Sequence, residues 1–331
     1  MPGDTIPDDA IPDDAIPGMA MLRARARLLS SAREFFAARA VLEVDTPILG
    51  DGLVVESHID PIPCQVRSGS GAPLPRHLLT SPEGPMKRLL AAGSGPIYQF
   101  AHAFRDGEQG RRHATEFTML EWYRPGFDHH ELMAEVEALV QTLVPRVAKS
   151  TFTRRTYREV FIEGAGIDPF ATSLPELRAT CERLDVPTPP NFEQGSLDDA
   201  LDLLLVSYIE PTLGTPVPTF VHEYPASQAA LAQVHTSDEG HAVAQRFELY
   251  IDGLELVNGY HELADAEEQR LRFEQANRDR EASGRSPLPI DELLIASLQN
   301  GFPACAGVAL GFDRLLMVAT EAKHIDDVRC S

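Results

Sequence analysis

Phe104-Arg105-Asp106-Gly107-Glu108, followed by Arg112-His113-Ala114-Thr115-Glu116-Phe117-Thr118-Met119-Leu120-Glu121-Trp122-Tyr123, is the stretch on which the reading of the fold turns. Residues 96–104 and 116–123 are rich in aromatic and β-prone side chains and read as two strands joined by a polar loop. Far downstream, Gly307-Val308-Ala309-Leu310-Gly311-Phe312-Asp313-Arg314-Leu315 reads as a strand running into a helix. Each segment brings one arginine to a point where a strand meets a loop or a helix. A guanidinium stays charged and binds phosphate oxygens through a planar fork, so two fixed arginines suit a polyphosphate under attack.

The rest of the chain is punctuated in the same way. Residues 20–40 read as a basic, partly amphipathic helix, and 41–47 as a strand ending at Pro47. Residues 66–76, rich in Gly, Ser and Pro, read as a loop. Short strands are expected at 77–80, 219–223 and 247–257. Helices are expected at 83–92, 129–144, 266–281 and 290–300. Strands with peripheral helices and no regular βαβ alternation predict an α+β fold built on an antiparallel sheet. Residues 151–215 carry helical patterns at 175–184 and 197–209 and read as a helical insertion within one domain spanning 20–331. Residues 1–19 hold a tandem Ile-Pro-Asp-Asp-Ala and read as a disordered acidic tail.

Composition narrows the function. Lys and Arg number 29 against 50 Asp and Glu, a formal charge of −21, which argues against a broad nucleic-acid-binding surface. Cys64, Cys181, Cys305 and Cys330 lie far apart with no CxxC pair, so free thiols are expected and not a zinc site. No apolar run reaches the ~20 residues that cross a bilayer, and a cytoplasmic protein is expected. Neither a GxxxxGK[ST] loop nor a GxGxxG turn is present, so any nucleotide must be held by side chains on a sheet.

Phe247 to Leu263 carries further chemistry. Asp252-Gly253 is a strong two-residue hairpin turn. Glu255 and Glu262 then fall on opposite faces of the return strand unless a bulge, expected at Asn258-Gly259, restores them to one. If Asn258-Gly259 is instead the turn, the two glutamates face each other. Either geometry joins two carboxylates, a candidate Mg²⁺ site; the plainer alternative is two solvated side chains. His129-His130 reads as a solvated helix start and not as a metal site.

Taken together, the segments around Arg105 and Arg314 resemble motifs 2 and 3 of class II aminoacyl-tRNA synthetases, in the lysyl branch, and residues 20–47 resemble motif 1. The resemblance implies a class II catalytic fold that binds ATP and Mg²⁺ and forms a homodimer. It gives Arg105 the α-phosphate and the substrate carboxylate, Arg314 the far phosphates, His113 the ordering of the loop, and Phe117 a place beneath adenine. Asp106, Gly107, Glu108, Ala114, Glu255, Leu256 and Gly311 complete the implied ATP site, with Glu255 and Glu262 as metal ligands. Ser81, Pro82, Glu83, Glu121, Tyr123, Glu262 and Ala309 form the implied amino-acid pocket. Its carboxylates suit a diamino acid with two positive charges.

The strings Thr80-Ser81-Pro82-Glu83, Glu116 to Pro125 and Pro225-Ala226-Ser227-Gln228 are similar to those of the synthetase paralogues that ligate lysine or (R)-β-lysine to elongation factor P. Three features point the same way. Residues 1–20 leave no room for an anticodon-binding OB-fold, Ala309 stands where lysyl-tRNA synthetases usually have glycine, and Ser81 stands where they commonly have alanine. This implies elongation factor P as acceptor, with no tRNA and no membrane. Asp106-Gly107-Glu108 departs from the usual Asn-Glu-Glu, and His113-Ala114-Thr115-Glu116-Phe117 from the usual His-Asn-Pro-Glu-Phe. The competing readings are an adenylate-forming enzyme that loads another acceptor, tRNA or a carrier protein, and an inactive regulatory paralogue.

Overall fold

The computed structural model describes residues 18–189, 192 and 195–329. The acidic tail expected at 1–19 falls almost wholly outside them, as does Cys330. Twelve strands and nine α-helices are present among the described residues. The strands are β1 (Leu42–Glu43), β2 (Leu49–Gly50), β3 (Ile62–Arg67), β4 (Pro73–Leu78), β5 (Ile97–Phe104), β6 (Glu116–Pro125), β7 (Thr153–Thr156), β8 (Thr219–Pro225), β9 (Val234–Thr236), β10 (Ala242–Ile251), β11 (Leu254–His261) and β12 (Cys305–Gly311). The helices are α1 (Met19–Ala37), α2 (Glu83–Ala91), α3 (His129–Leu143), α4 (Tyr157–Ala165), α5 (Leu174–Arg183), α6 (Leu197–Leu204), α7 (Ala266–Ala282), α8 (Glu292–Gln299) and α9 (Phe312–Thr320).

A nine-stranded sheet runs β1-β5-β6-β12-β11-β10-β8-β7, with β9 also paired to β10. Its centre is antiparallel, as expected of the α+β class, while the outer pairs β1–β5 and β7–β8 are parallel. Period-two alternation sorts the side chains of the central strands. Leu120 and Trp122 of β6, Ala306, Val308 and Leu310 of β12, and Phe247 and Leu249 of β10 form the main core with Phe36 of α1 and Leu132, Val136, Leu139 and Val140 of α3. The opposite face of the same strands is left for polar residues. That division positions the site.

Helix starts follow local chemistry. Asp128 and Thr156 make capping boxes with Glu131 and Glu159, satisfying free N–H groups at the starts of α3 and α4. Asp313, in the first turn of α9, accepts from the backbone N–H of Thr118 at 2.7 Å and pairs with Arg25 of α1 at 2.5 Å. This carboxylate fixes α9, and with it Arg314, against β6.

Three expectations are corrected. Residues 66–76 are not a plain loop: β3 and β4 form a hairpin, in register from Ile62–Leu78 to Arg67–Pro73, with only its tip irregular. Gly and Pro flagged the tip and masked the strands. The segment 151–215 is not wholly helical, because β7 joins the sheet beside β8. Its helices α4, α5 and α6 bury Tyr157, Phe161, Leu177 and Leu201 in a second core with Val221 and Tyr250 of the sheet. Finally, His129 is 3% exposed instead of solvated, with its ring 4.0 Å from His130 and 6.5 Å from His261.

Candidate active site

The hairpin turn is at Asp252-Gly253, whose φ angles of 53° and 67° require a residue tolerant of the left-handed region. A side chain at Gly253 would also strike the Pro211 carbonyl oxygen, at 2.8 Å from its Cβ. The return strand does contain a bulge, but at Leu256 and not at Asn258-Gly259: Tyr250 pairs with Glu255 and Leu249 with Val257, leaving Leu256 as the extra residue. The parity argument therefore holds with the bulge moved towards the turn. Asn258-Gly259 lies in regular ladder, paired with Glu248 and Phe247.

Beyond the bulge, Asn258, Tyr260 and Glu262 share one face with the pocket residues of β12 and β6. Ladder registry sets them in ranks. Glu121, Ala309 and Asn258 lie side by side across three strands, and Tyr123, Gly307 and Tyr260 form the next rank. Together they floor a cavity of about 230 Å³, which Arg105, Glu108, His113, Ala114, Phe117, Ser81, Glu83, Glu255, Leu256, Gly311 and Arg314 also line.

One end of this cavity is cationic. Arg105 follows β5, its guanidinium carbon 5.1 Å from the Phe117 ring centroid and its Nη1 3.7 Å from Glu108. Its Nε is buried without a hydrogen-bond partner among the described residues. Such a donor is costly unless something anionic takes it. Arg314 donates through Nη1 to the Glu255 carbonyl at 2.8 Å and through Nε to that of Arg112 at 3.2 Å. Its Nη2 lies 2.7 Å from His113 Nε2. Burial first, and then the Arg314 charge, lower the pKa of His113, so the imidazole is the neutral acceptor of that contact. Arg112 in turn donates to the Gly253 carbonyl at 2.5 Å and lies 3.8 Å from Glu210. The loop, the hairpin turn and the 151–215 segment are thereby latched together.

The other end is anionic. Glu83, Glu121 and Glu262 converge there, with Tyr123 donating its hydroxyl to Glu121 at 2.7 Å. Burial raises the pKa of Glu121, and the nearby Glu83 and Glu262 raise it further. Glu262 is pushed up to about 7, by burial first, while Lys87 pulls in the opposite direction. Lys87 itself lies 2.6 Å from both Glu83 and Glu262.

Both residues of the expected metal pair, Glu255 and Glu262, line this cavity. Lys87 lies 2.6 Å from one oxygen of Glu262, and the pKa of Glu255 is raised first by burial and next by Glu248. Glu248 is held by Arg246 at 2.6 Å and by the hydroxyls of Tyr224, at 2.6 Å, and Tyr250. Among the described residues no three His, Cys, Asp or Glu side chains are grouped to hold a metal alone. Glu255, which lines the cavity, offers hard oxygen donors of the kind that share Mg²⁺ with substrate phosphates. Asp106 and Gly107 are exposed and outside the cavity lining, in a turn where Gly107 has φ +77°. Pro82 caps α2 and also lies outside the lining. Ala114 is buried, in a cluster with Leu316, Met317, Ile325 and Val328, where a methyl fits better than an amide.

Sequence reasoning missed Lys87, Glu248, Arg112 and Glu210. Glu248 had a usable signal, since it lies on the strand that Asp252-Gly253 turns back. Lys87 had one too, four residues after Glu83 on a helix.

Residues 18–330 match the family model described as tRNA synthetases class II (D, K and N). The chain is 47% identical over 311 residues to the elongation factor P--(R)-beta-lysine ligase of Proteus mirabilis, covering 94% of each protein. It is 48% identical over 308 residues to the protein of that name in Vibrio vulnificus, and 47% over 308 residues to that of Photobacterium profundum. Both alignments cover 93% of this chain and 94% of the relative.

Proposed function

The chain belongs to the class II (D, K and N) tRNA synthetase family, and from that premise we propose that it is an ATP-dependent ligase for a diamino acid. It activates (R)-β-lysine or lysine as an aminoacyl-adenylate and passes the acyl group to the ε-amine of a lysine on elongation factor P. The observation that carries the reading is the polarity of one cavity, with Arg105 and Arg314 at one end and Glu83, Glu121 and Glu262 at the other. The names of the relatives supply the acceptor.

In the first step a substrate carboxylate oxygen bonds to the α-phosphorus of ATP and the bond to the β-phosphate bridge breaks, releasing pyrophosphate. Arg105 holds the carboxylate and the α-phosphate against their mutual repulsion, and Arg314 takes the far phosphates. Glu83, Glu121 and Glu262 fix the ammonium groups, so the carboxylate is presented in one orientation. Glu255 would hold Mg²⁺, which would supply neutralisation of the phosphate charge. In the second step the acceptor amine attacks the acyl carbon and AMP leaves.

The test is the intact mass of elongation factor P after incubation with the full chain, Mg·ATP and lysine or β-lysine. A gain of one lysyl unit, absent with Arg105→Ala, is expected. No gain, with amino-acid-dependent ATP–pyrophosphate exchange intact, would leave the activation chemistry standing and overturn the acceptor.

A further inference from the structure

The chain has 29 basic residues, of which three are lysines: Lys87, Lys149 and Lys323. Lys149 and Lys323 are exposed, whereas Lys87 is 1% exposed. A chain that uses arginine almost everywhere thus keeps a lysine at its most buried cationic position beside the pocket. A compact ammonium can sit between two carboxylates where a planar guanidinium cannot.

Lys87 does not line the cavity; it stands behind it. Its Nζ takes Oε1 of Glu83 and Oε2 of Glu262, each at 2.6 Å. The other oxygen of Glu262, Oε1, lies over Gly307, where a Cβ would come within 2.3 Å of it. Glu262 is therefore divided, one oxygen on Lys87 and one over the pocket floor. The remaining groups around this charge are Glu121 and Tyr123 of β6, Cys305 of β12 and Tyr260 of β11. Glu56, a fourth carboxylate of the cavity, has its pKa raised, by burial first; Arg105 and Arg246 pull it down while Glu83 and Glu108 push it up.

We infer that Lys87 is the internal counter-ion of the amino-acid pocket, offsetting carboxylate charge from behind it and holding Glu83 and Glu262 so that each keeps one oxygen for an ammonium group of the substrate. The ammonium offsets part of the repulsion among the converging carboxylates, so a diamino acid whose own carboxylate goes to Arg105 finds acceptors for its ammonium groups already in place. A pocket of three unbalanced carboxylates would repel itself apart or take up a proton, and in either case lose an acceptor. Lys87 is thus a positioning residue for substrate charge, and the inference rests on the diamino-acid reading above.

A double-mutant cycle on the full chain tests it, reading lysine-dependent ATP–pyrophosphate exchange in the wild type, Lys87→Met, Glu83→Gln and the double variant. Lys87→Met should raise the KM for lysine roughly tenfold to a hundredfold, with kcat within about threefold. The double variant should be no worse than Glu83→Gln, because removing one carboxylate with the lysine restores the balance. Additive losses, or a fall confined to kcat, would overturn the inference. Should Lys87→Met not fold, the double variant should recover a cooperative thermal transition; one that stays as unfolded as the single variant overturns the inference equally. A wild type with no amino-acid-dependent exchange would instead sink the ligase reading itself.

Discussion

Gly307 lies directly opposite Tyr123 in the β6–β12 ladder, and a Cβ on it would stand 2.2 Å from the tyrosine ring. One rank along the same strand, Ala309 faces Glu121 and carries the methyl that Gly307 lacks. Over Gly307 the Tyr123 ring and the Glu262 carboxylate therefore take the space a methyl would need, whereas at Ala309 the methyl itself lines the pocket floor. A single methylene-sized change in such a pocket discriminates substrates by about 1–3 kcal/mol.

From this follows a selectivity experiment. Ala309→Gly removes that methyl and should shift preference towards α-lysine over β-lysine by roughly tenfold or more. The ratio of kcat/KM values for the two isomers, from pyrophosphate exchange, gives the answer. An unchanged ratio would mean that the floor is shaped elsewhere, with Tyr260 and Asn258 the next residues to vary.

Arg105→Ala should reduce adenylate formation by about a hundredfold to a thousandfold, the range seen when a preorganised transition-state donor is removed. The fold should survive, because the ion pair and ring contact of Arg105 among the described residues are with Glu108 and Phe117, both of the cavity lining. Near-normal exchange from a variant with wild-type circular dichroism would take Arg105 out of the phosphate site.

Much of this site was legible in the sequence, and what escaped has physical reasons. Strands β5, β6, β11 and β12 are long, apolar and alternating, so both their existence and their sidedness could be read. Arg105 and Arg314 fall at their ends, where a loop or helix begins. The Leu256 bulge could be inferred from parity but not located, since nothing in Leu-Glu-Leu-Val-Asn-Gly marks which residue is extra, and Asn-Gly draws attention wrongly. Pairings such as Lys87 with Glu262 join segments distant in sequence, and only the closed sheet brings them together. His129 looked solvated because a helix start is normally wet; the packing of α3 against β10, β11 and β12 overrides that.

Substrate affinity should depend on pH through Glu262. Burial sets its pKa near 7 in the empty pocket, and only the ionised form accepts from an ammonium group. The KM for lysine should rise as the pH falls below about 7, by at most about tenfold per unit for one group. The Glu262→Gln variant should bind weakly throughout and lose this acid limb. A wild-type KM that is flat from pH 8 to 6 would show that Glu262 stays ionised over that range.

Stability should carry a separate acid limb from the histidine cluster on the other face of the sheet. Burial, reinforced by neighbouring histidine charge, lowers the pKa of His129 to about 3 and of His222 to about 4. His130 and His261 add to the repulsion at His129, and Asp128 offsets part of it. Neither ring nitrogen of His129 has a hydrogen-bond partner among the described residues. In the unfolded chain both titrate near ~6.5, so between that value and the folded pKa the unfolded state binds more protons. The stability they contribute is full above about pH 6.5 and is lost as the pH falls. At pH 5 the deficit is about 2 kcal/mol for each histidine. A thermal midpoint that drops between pH 6.5 and 5, and drops less in His129→Phe, is the expected result. Parallel pH profiles for the two proteins would assign the acid limb to other groups.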